Sequence, residues 1–236
     1  MIIAAHQPEY LPYLGFFYKM LKSDKFVLAD HLQFSKKDFL NRNRIRTNAN
    51  SLGWVWLTVP VLVHGKGYQK ISEVQIDNST PWAKKHWQLI YFNYKKTPFF
   101  NMYSPFFEKL YSKKWQKLAD LNESIIDYFK NELGIKTELI KSSGYDFTGK
   151  KTDLIVELCK EFKSDTYFSG PGGKSYMDLE LLRKNNIKYI FSDFKHPVYH
   201  QRFEPFVENL SAIDLLFNEG PKSLEIIKQT NETRPR

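Results

Sequence analysis

Apolar and polar residues follow one another along the chain in blocks that predict an α/β fold. A short apolar run at residues 2–5 ends at His6, and a turn bracketed by two prolines follows it. Residues 14–21 repeat apolar side chains at helical spacing, and another apolar run ends at Asp30. A strand, a helix and a strand in this order predict a βαβ unit, in which the strands are parallel and the crossover is right-handed.

A second unit of the same kind lies towards the C-terminus. Residues 152–162 have the spacing of a helix and precede an apolar strand at residues 165–169. A helix at about residues 176–186 then leads into a strand at residues 187–191. Since both units can belong to one sheet, we predict a three-layer, mainly parallel, Rossmann-like α/β fold.

The middle of the chain is predicted to be different in kind. Residues 80–134 carry helical periodicity with a break near Ser112, which predicts a mainly helical insertion that serves as a lid or a homodimer face. Ahead of it, residues 31–50 are predicted to be a polar loop. Residues 54–59 and 70–77 are predicted to be strands that pair antiparallel at the sheet edge.

We expect residues 1–229 to form a single domain, with a disordered tail at residues 230–236. No apolar run reaches the length of a transmembrane helix, and an apolar strand follows Met1 without the basic lead of a signal peptide. The lone Cys159 argues against a disulfide framework. A cytoplasmic protein without a membrane span is therefore predicted.

The charge of the chain suggests an anionic partner. Its formal net charge is +9, and many of its lysines stand in scattered pairs. Such a surface attracts anions, yet no helix-turn-helix, zinc-finger or RNP-like motif is present. An anionic small molecule is therefore the preferred partner, and nucleic acid is disfavoured.

Polar residues at the ends of the first two predicted strands are the candidates for chemistry. His6 and Asp30 would lie at the carboxyl edge of a parallel sheet, where such sheets bind ligands. An imidazole or a carboxylate there can take a proton from a substrate. The candidates for substrate binding lie beside them in sequence, and they are Gln7, Tyr10, Gln33, Lys36, Asn41, Arg42, Asn43 and Arg44.

A glycine-rich segment is the candidate for binding an anion or a cofactor. It follows one predicted strand and precedes a helix, so that its amides would face an anion at the helix N-terminus. It is not a Walker A motif, because that motif requires a glycine five residues before Gly173, and none stands there; Ser169 is four residues before it. The candidate residues are Gly170, Gly172, Gly173, Lys174 and Ser175.

Other reactive residue types give weaker patterns. Pro197 separates His196 from His200, which disfavours a shared metal on one helical face, and no metal site is predicted. Cys159 lies on an apolar helix face and is predicted to be a core residue. No GxSxG motif for a nucleophilic serine is present.

Several of these segments together resemble the WbqC-like family of bacterial proteins. The most specific are HQPEYLPYLGFF at residues 6–17 and NRNRIRT at residues 41–47. Further segments that resemble the family are DHLQF at 30–34, WLTVPV at 56–61, NYKKTPFF at 93–100, SGPGGKSYMD at 169–178 and SAIDLLFNEGP at 211–221. The resemblance implies a product of surface-polysaccharide gene clusters, such as those for O-antigen, that adds an acyl or aminoacyl group to an amino sugar.

The N-terminal segment is also similar to the start of HIGH-type nucleotidyl-transferring folds of the HUP class. In those folds a histidine after the first strand meets the phosphates of ATP. Here Pro8 stands at the central glycine of that motif and its second histidine has no counterpart, which weakens the analogy.

The leading hypothesis is an enzyme that forms an amide on a nucleotide-linked amino sugar. Arg42 and Arg44, with Lys36, would bind phosphates, and His6 or Asp30 would take the proton of the attacking amine. The donor is left open between an acyl thioester, an aminoacyl group and an acid activated by ATP with Mg²⁺. The alternatives are an ATP-dependent ligase or nucleotidyl-transfer enzyme of HUP-like fold, and a non-catalytic protein that binds nucleotide sugars or nucleic acid.

Overall fold

The computed structural model describes residues 1–36 and 38–229. Its strands are β1 (Ile2–His6), β2 (Lys25–Leu28), β3 (Arg42–Arg46), β4 (Trp54–Thr58), β5 (Glu138–Lys141), β6 (Thr166–Ser169) and β7 (Lys188–Phe191). Its α-helices are α1 (Leu14–Leu21), α2 (Trp82–Tyr94), α3 (Phe100–Ser112), α4 (Leu118–Glu132), α5 (Thr152–Glu161), α6 (Leu179–Lys184), α7 (Ile213–Glu219) and α8 (Ser223–Lys228).

The central sheet is parallel, with β1 in its middle. Five strands lie in the order β5-β2-β1-β6-β7, and each neighbouring pair is parallel. Both predicted βαβ units, β1-α1-β2 and β6-α6-β7, therefore belong to one sheet, as expected. The chain passes from β1 to β2 and β5 on one side of the sheet and then to β6 and β7 on the other side. The strand order therefore reverses between β1 and β6.

Helices cover both faces of this sheet, which confirms the three-layer, Rossmann-like α/β fold. One apolar core joins Ala4 of β1 to α1 and to helices α2–α4, α7 and α8. A second core on the opposite face joins Ile3 of β1 to α5 and α6. Because both faces of β1 are covered, its sequence is continuously apolar rather than alternating.

The middle third contains the helices that its periodicity predicted. Helices α2, α3 and α4 occupy this region, and the break near Ser112 separates α3 from α4. Gly134 follows α4 with a φ of +66°, a conformation that glycine adopts without the steric cost of a side chain. Within the described part of the chain, no helix combines the length and the apolar character that crossing a membrane would require.

Two predictions for the segment before these helices are wrong. Residues 31–50 are not all loop, because residues 42–46 form β3, which pairs antiparallel with β4 in a separate two-stranded sheet. Residues 70–77 are not a strand but contain a 3₁₀ turn and isolated bridges. The partner of β4 is thus β3, whose polar side chains concealed an alternation between half-buried and buried positions from Arg42 to Ile45.

The helix expected over residues 176–186 is shorter and begins at Leu179. The Asp178 carboxylate accepts hydrogen bonds from the Glu180 and Leu181 amides, which sets the start of α6 there. Residues 171–175 form a separate 3₁₀ turn instead of the first turn of that helix. The prediction of a single domain stays a prediction, and the tail at residues 230–236 lies outside the described residues.

Arg46 joins the β3–β4 hairpin to the segment that follows β7. Its side chain is almost fully buried, with 1% exposed. The guanidinium donates to the carbonyl oxygens of Thr47 and Gly53 in the hairpin. It also donates to those of Phe203 and Pro205, at 2.9 and 2.8 Å. A planar fork with five N–H donors suits this arrangement, and an ammonium does not.

We expect Arg46→Lys to lower the free energy of unfolding by about 2 to 4 kcal/mol, because buried carbonyl groups would lose charged donors. Arg44→Lys in the same strand is the control. Arg44 donates a hydrogen bond to one carbonyl, that of Asn209, and is only half-buried, so a loss below about 1 kcal/mol is expected. Urea unfolding measures both variants, and equal losses would contradict the role given to Arg46.

Candidate functional site

A cavity of about 640 Å³ opens where the strand order of the sheet reverses, between the carboxyl ends of β1 and β6. Parallel sheets bind ligands at this position, because the loops after the two strands diverge there. Residues from the ends of both strands and from α1 and α5 line the cavity, which we call the switch-point cavity; they include His6, Gln7, Lys19, Ile155, Ser169 and Gly170.

His6, a residue of the cavity lining, has one unprotonated ring nitrogen. Its Nδ1 lies 3.0 Å from the Gln7 carbonyl oxygen, which can only accept, so Nδ1 carries the proton and Nε2 has a lone pair. Burial, with the nearby Lys19 charge, lowers the pKa of His6 to about 4. The imidazole is therefore neutral at pH 7 and able to accept a proton.

Two further titratable residues surround His6, and sequence reasoning missed both as site residues. The Lys19 ammonium of α1 donates to the Ala5 carbonyl oxygen at 2.6 Å, and Glu9 Oε1 lies 3.8 Å from His6 Nε2. Burial lowers the pKa of Lys19 to about 8 and raises that of Glu9 to about 8. One available signal was that Lys19 is the single charged residue in the apolar helix LGFFYKML.

Part of the predicted glycine segment forms one wall of the cavity. Gly170, Gly172 and Gly173 line it. A side chain at Gly173 would collide with Ser169 Oγ, so only glycine fits this close approach to β6.

The last two predicted residues of the glycine segment have other contacts. Lys174 Nζ lies over the Phe191 ring, and Ser175 Oγ donates to the Gly172 carbonyl oxygen. The Asp178 carboxylate accepts from the first amides of α6, so an anion site here would depend on the amides of the glycine segment itself and stays a prediction.

Asp30 lies beyond the carboxyl end of β2 and does not line the switch-point cavity. Its Oδ1 accepts hydrogen bonds from Ser142 Oγ and the Ser143 amide, and its Oδ2 accepts one from Ser143 Oγ at 2.6 Å. The carboxylate thus joins the end of β2 to the turn after β5, and its oxygens are occupied by protein donors.

The predicted substrate-binding residues near the first strands are dispersed. Gln7 lines the cavity, but the Tyr10 side chain is fully buried, and its hydroxyl pairs with His86 and Tyr111. Gln33 and Lys36 are exposed and are not part of the cavity lining, although Leu32 is, and Gln33 forms an isolated bridge with Lys70.

The four residues from Asn41 to Arg44 lie together at the hairpin and outside the cavity lining. The side-chain amide of Asn41 donates to the Val59 carbonyl oxygen, and that of Asn43 donates to the Leu11 carbonyl oxygen. The guanidiniums of Arg42 and Arg44 lie over tryptophan rings of β4, at 4.5 Å from the centroid of Trp56 and 5.1 Å from that of Trp54. The two asparagines therefore hold the hairpin in place, and the two arginines cover its tryptophan rings.

Metal-ligating side chains do not converge in the described part of the chain: no three of its His, Cys, Asp or Glu residues form a group that could hold an ion. His196 Nδ1 donates to the Pro197 carbonyl oxygen. Cys159 is buried, and burial raises the pKa of its thiol to about 12, which makes it unreactive as a nucleophile.

The hydrogen bonds of Asp30 give it a testable structural role. We expect Asp30→Ala to lower the free energy of unfolding by about 2 to 4 kcal/mol, because the buried Ser142 hydroxyl and the two Ser143 donors lose a charged acceptor. Asp146→Ala, at an exposed carboxylate of the neighbouring loop, should change it by less than about 0.5 kcal/mol. Thermal and urea unfolding measure both; an Asp30→Ala protein as stable as the wild type would contradict the anchoring role.

The lowered pKa of His6 makes folding depend on pH in weak acid. The unfolded chain binds a proton at His6 near pH 6.5 and the folded protein only near pH 4, so stability falls as the pH drops through this window. We expect His6→Gln to remove that loss. As the pH falls from 7 to 4.5, the free energy of unfolding of His6→Gln minus that of the wild type should increase by about 2 to 3 kcal/mol.

Urea unfolding across this pH range measures the His6 effect. His86, whose pKa burial also lowers to about 4, is present in both proteins and cancels in the comparison. Parallel stability curves for the two proteins would show that His6 titrates normally.

Comparisons with known proteins agree with the resemblance of the sequence. The model of the WbqC-like protein family matches residues 7–226. An uncharacterized protein of Mycobacterium tuberculosis, Rv1507c, is 34% identical over 228 residues, which cover 96% of this chain and 97% of that protein. No solved structure matches. A family match over nearly the whole chain shows that the protein belongs to the WbqC-like family.

Proposed function

We propose that the protein is an enzyme that forms an amide on the amine of a nucleotide-linked amino sugar, with the switch-point cavity as its active site. The observation that carries the proposal is the unprotonated Nε2 of His6 at the carboxyl end of β1, in a cavity large enough for a small substrate. The resemblance to proteins of surface-polysaccharide gene clusters supports the choice of an amino sugar as the acceptor.

His6 would act as the base of this reaction. A sugar amine must be neutral to attack the acyl carbon, and its nitrogen becomes strongly acidic as the new C–N bond forms. Nε2 of His6 then takes the proton and returns it to the leaving group as the bond between the acyl carbon and that group breaks. The proton taken up is released again, so the imidazole ends neutral.

The residues around His6 would prepare it for this step. The Gln7 carbonyl keeps the proton on Nδ1, and therefore directs the lone pair of Nε2 to the reacting nitrogen. Glu9, whose pKa burial raises to about 8, stays mostly protonated at pH 7 and so adds little negative charge beside the imidazole. The amides near Gly170 and Gly172 would face the oxyanion that develops on the acyl carbonyl.

Ligand-induced stabilisation tests the proposed substrates. The panel consists of UDP-, dTDP- and GDP-linked amino sugars, ATP with Mg²⁺, and an acyl-CoA. A ligand at 100 times its dissociation constant should add about 2.7 kcal/mol to the free energy of unfolding, or roughly 5 to 10 °C to the Tm. We expect one nucleotide sugar to do so. Stabilisation by ATP alone would favour the ligase or nucleotidyl-transfer alternative, and no shift with any member would contradict the proposal.

Substitution of His6 separates catalysis from binding. With the nucleotide sugar and donor identified by the panel, His6→Gln should retain the ligand-induced Tm shift and lower the rate of amide formation by about 100-fold or more. His64→Gln, at an exposed histidine outside the cavity lining, is the control. Mass spectrometry of the sugar product measures the rate, and equal rates for the two variants would exclude His6 as the base.

A further inference from the structure

Lys19 is a buried cation that faces the switch-point cavity. Only 7% of its surface is exposed, although lysine is among the residues that folding buries least often. Its side chain leaves α1 and reaches the end of β1, where the ammonium donates to the Ala5 carbonyl oxygen at 2.6 Å. Lys19 and Ala5 are both part of the cavity lining, so this ammonium and its acceptor belong to residues at the wall of the cavity.

No carboxylate in the described residues pairs with the Lys19 ammonium. Ion pairs within 4.0 Å join other residues, and none of them includes Lys19. Glu9 is close enough for its charge to influence Lys19, but it lies beyond that distance and holds its proton near neutral pH. Removing an ammonium from water without a counter-ion costs several kcal/mol.

The ammonium therefore has capacity for a ligand. It has three N–H donors, and the contact with Ala5 uses one of them. An anion in the cavity would supply both the missing charge and the missing acceptors. Charge-assisted hydrogen bonds of this kind are the stronger ones in proteins.

The rest of the cavity indicates the body of such a ligand. Leu154 and Leu158 of α5 form an aliphatic wall, and Tyr167, Tyr176 and Phe194 contribute aromatic rings. These side chains favour an apolar or aromatic group on this side of the cavity.

The number of charges indicates the class of the anionic group. Lys151, the other lysine of the lining, is exposed and therefore remains in water at the edge of the cavity. One buried ammonium balances one negative charge. A carboxylate carries one, whereas a phosphate monoester carries about 1.5 to 2 at pH 7.

We propose that the switch-point cavity binds a carboxylate with an apolar or aromatic body, with its carboxylate on the Lys19 ammonium. The body lies between α5 and the aromatic rings of the lining. The inference rests on the proposed function only for the role of this ligand, which is the acid that corresponds to the transferred acyl group. Binding itself forms and breaks no covalent bond.

A matched set of probes tests the charge requirement in the wild-type protein. Phenylacetate, phenylacetamide and phenyl phosphate share a ring and differ in the group that would meet Lys19. Calorimetric titration should show phenylacetate binding about 10- to 100-fold more tightly than phenylacetamide, because one or more charge-assisted hydrogen bonds depend on the charge. Equal affinity for the amide overturns the proposal. Tighter binding of phenyl phosphate than of phenylacetate overturns the carboxylate and assigns the site to a phosphate group.

Substitution of Lys19 tests the location of the site. Lys19→Met keeps the length of the side chain and removes the charge, and should abolish the Tm shift that phenylacetate causes. Its Tm without ligand should stay level or rise, because an unpaired buried charge is removed. Lys22→Met, at an exposed lysine next to the C-terminal end of α1, is the control and should retain the phenylacetate shift.

The outcomes of these experiments are separable from those for the proposed function. A Lys19→Met protein that binds phenylacetate as the wild type does overturns the assignment of Lys19. If that variant does not fold, the comparison of phenylacetate with phenylacetamide in the wild type still decides. The binding measurements with phenylacetate contain no amine substrate. A failure to detect amide formation in the other experiments would therefore not change the conclusion on Lys19.

Discussion

The parallel pairing of β1 with a strand on each side is the constraint on which the rest of the structure depends. Because β2 lies on one side and β6 on the other, the connections leave β1 and β6 in opposite directions. The loops after these strands diverge and leave the switch-point cavity open. Helices cover both faces of β1, which limits the access of water to the polar groups near its end.

Limited access to water shapes the chemistry of the site more than any single contact does. Burial is the largest cause of the pKa shifts at His6, Glu9 and Lys19, and it favours the neutral form of each. The shifts bring the pKa values of Glu9 and Lys19 to about 8 and keep His6 unprotonated at pH 7. Clusters of perturbed groups in a cleft are typical of functional sites, since a core built only for stability avoids them.

His6 and Arg44, both predicted to be site residues near the N-terminus, lie in different parts of the fold. Local sequence places them close together, but β3 pairs in a hairpin that is distinct from the main sheet. Asn43 and Arg46 hold this hairpin through buried hydrogen bonds to backbone carbonyls. A dense group of polar residues therefore serves packing here, and its members could not be distinguished from ligand-binding residues by composition.

Sequence by itself determined the elements of the central sheet and most of its helices, because short apolar runs mark strands buried on both faces and a period of 3.6 residues marks the buried face of a helix. It also located His6 at a strand end and the glycine segment that faces it. Only the tertiary structure decided which strand pairs with β3, which groups donate hydrogen bonds to the Asp30 carboxylate, and that Lys19 is part of the cavity lining. These depend on contacts between distant residues, such as Asp30 with Ser143 and Lys19 with the end of β1. Local periodicity carries no information about such contacts.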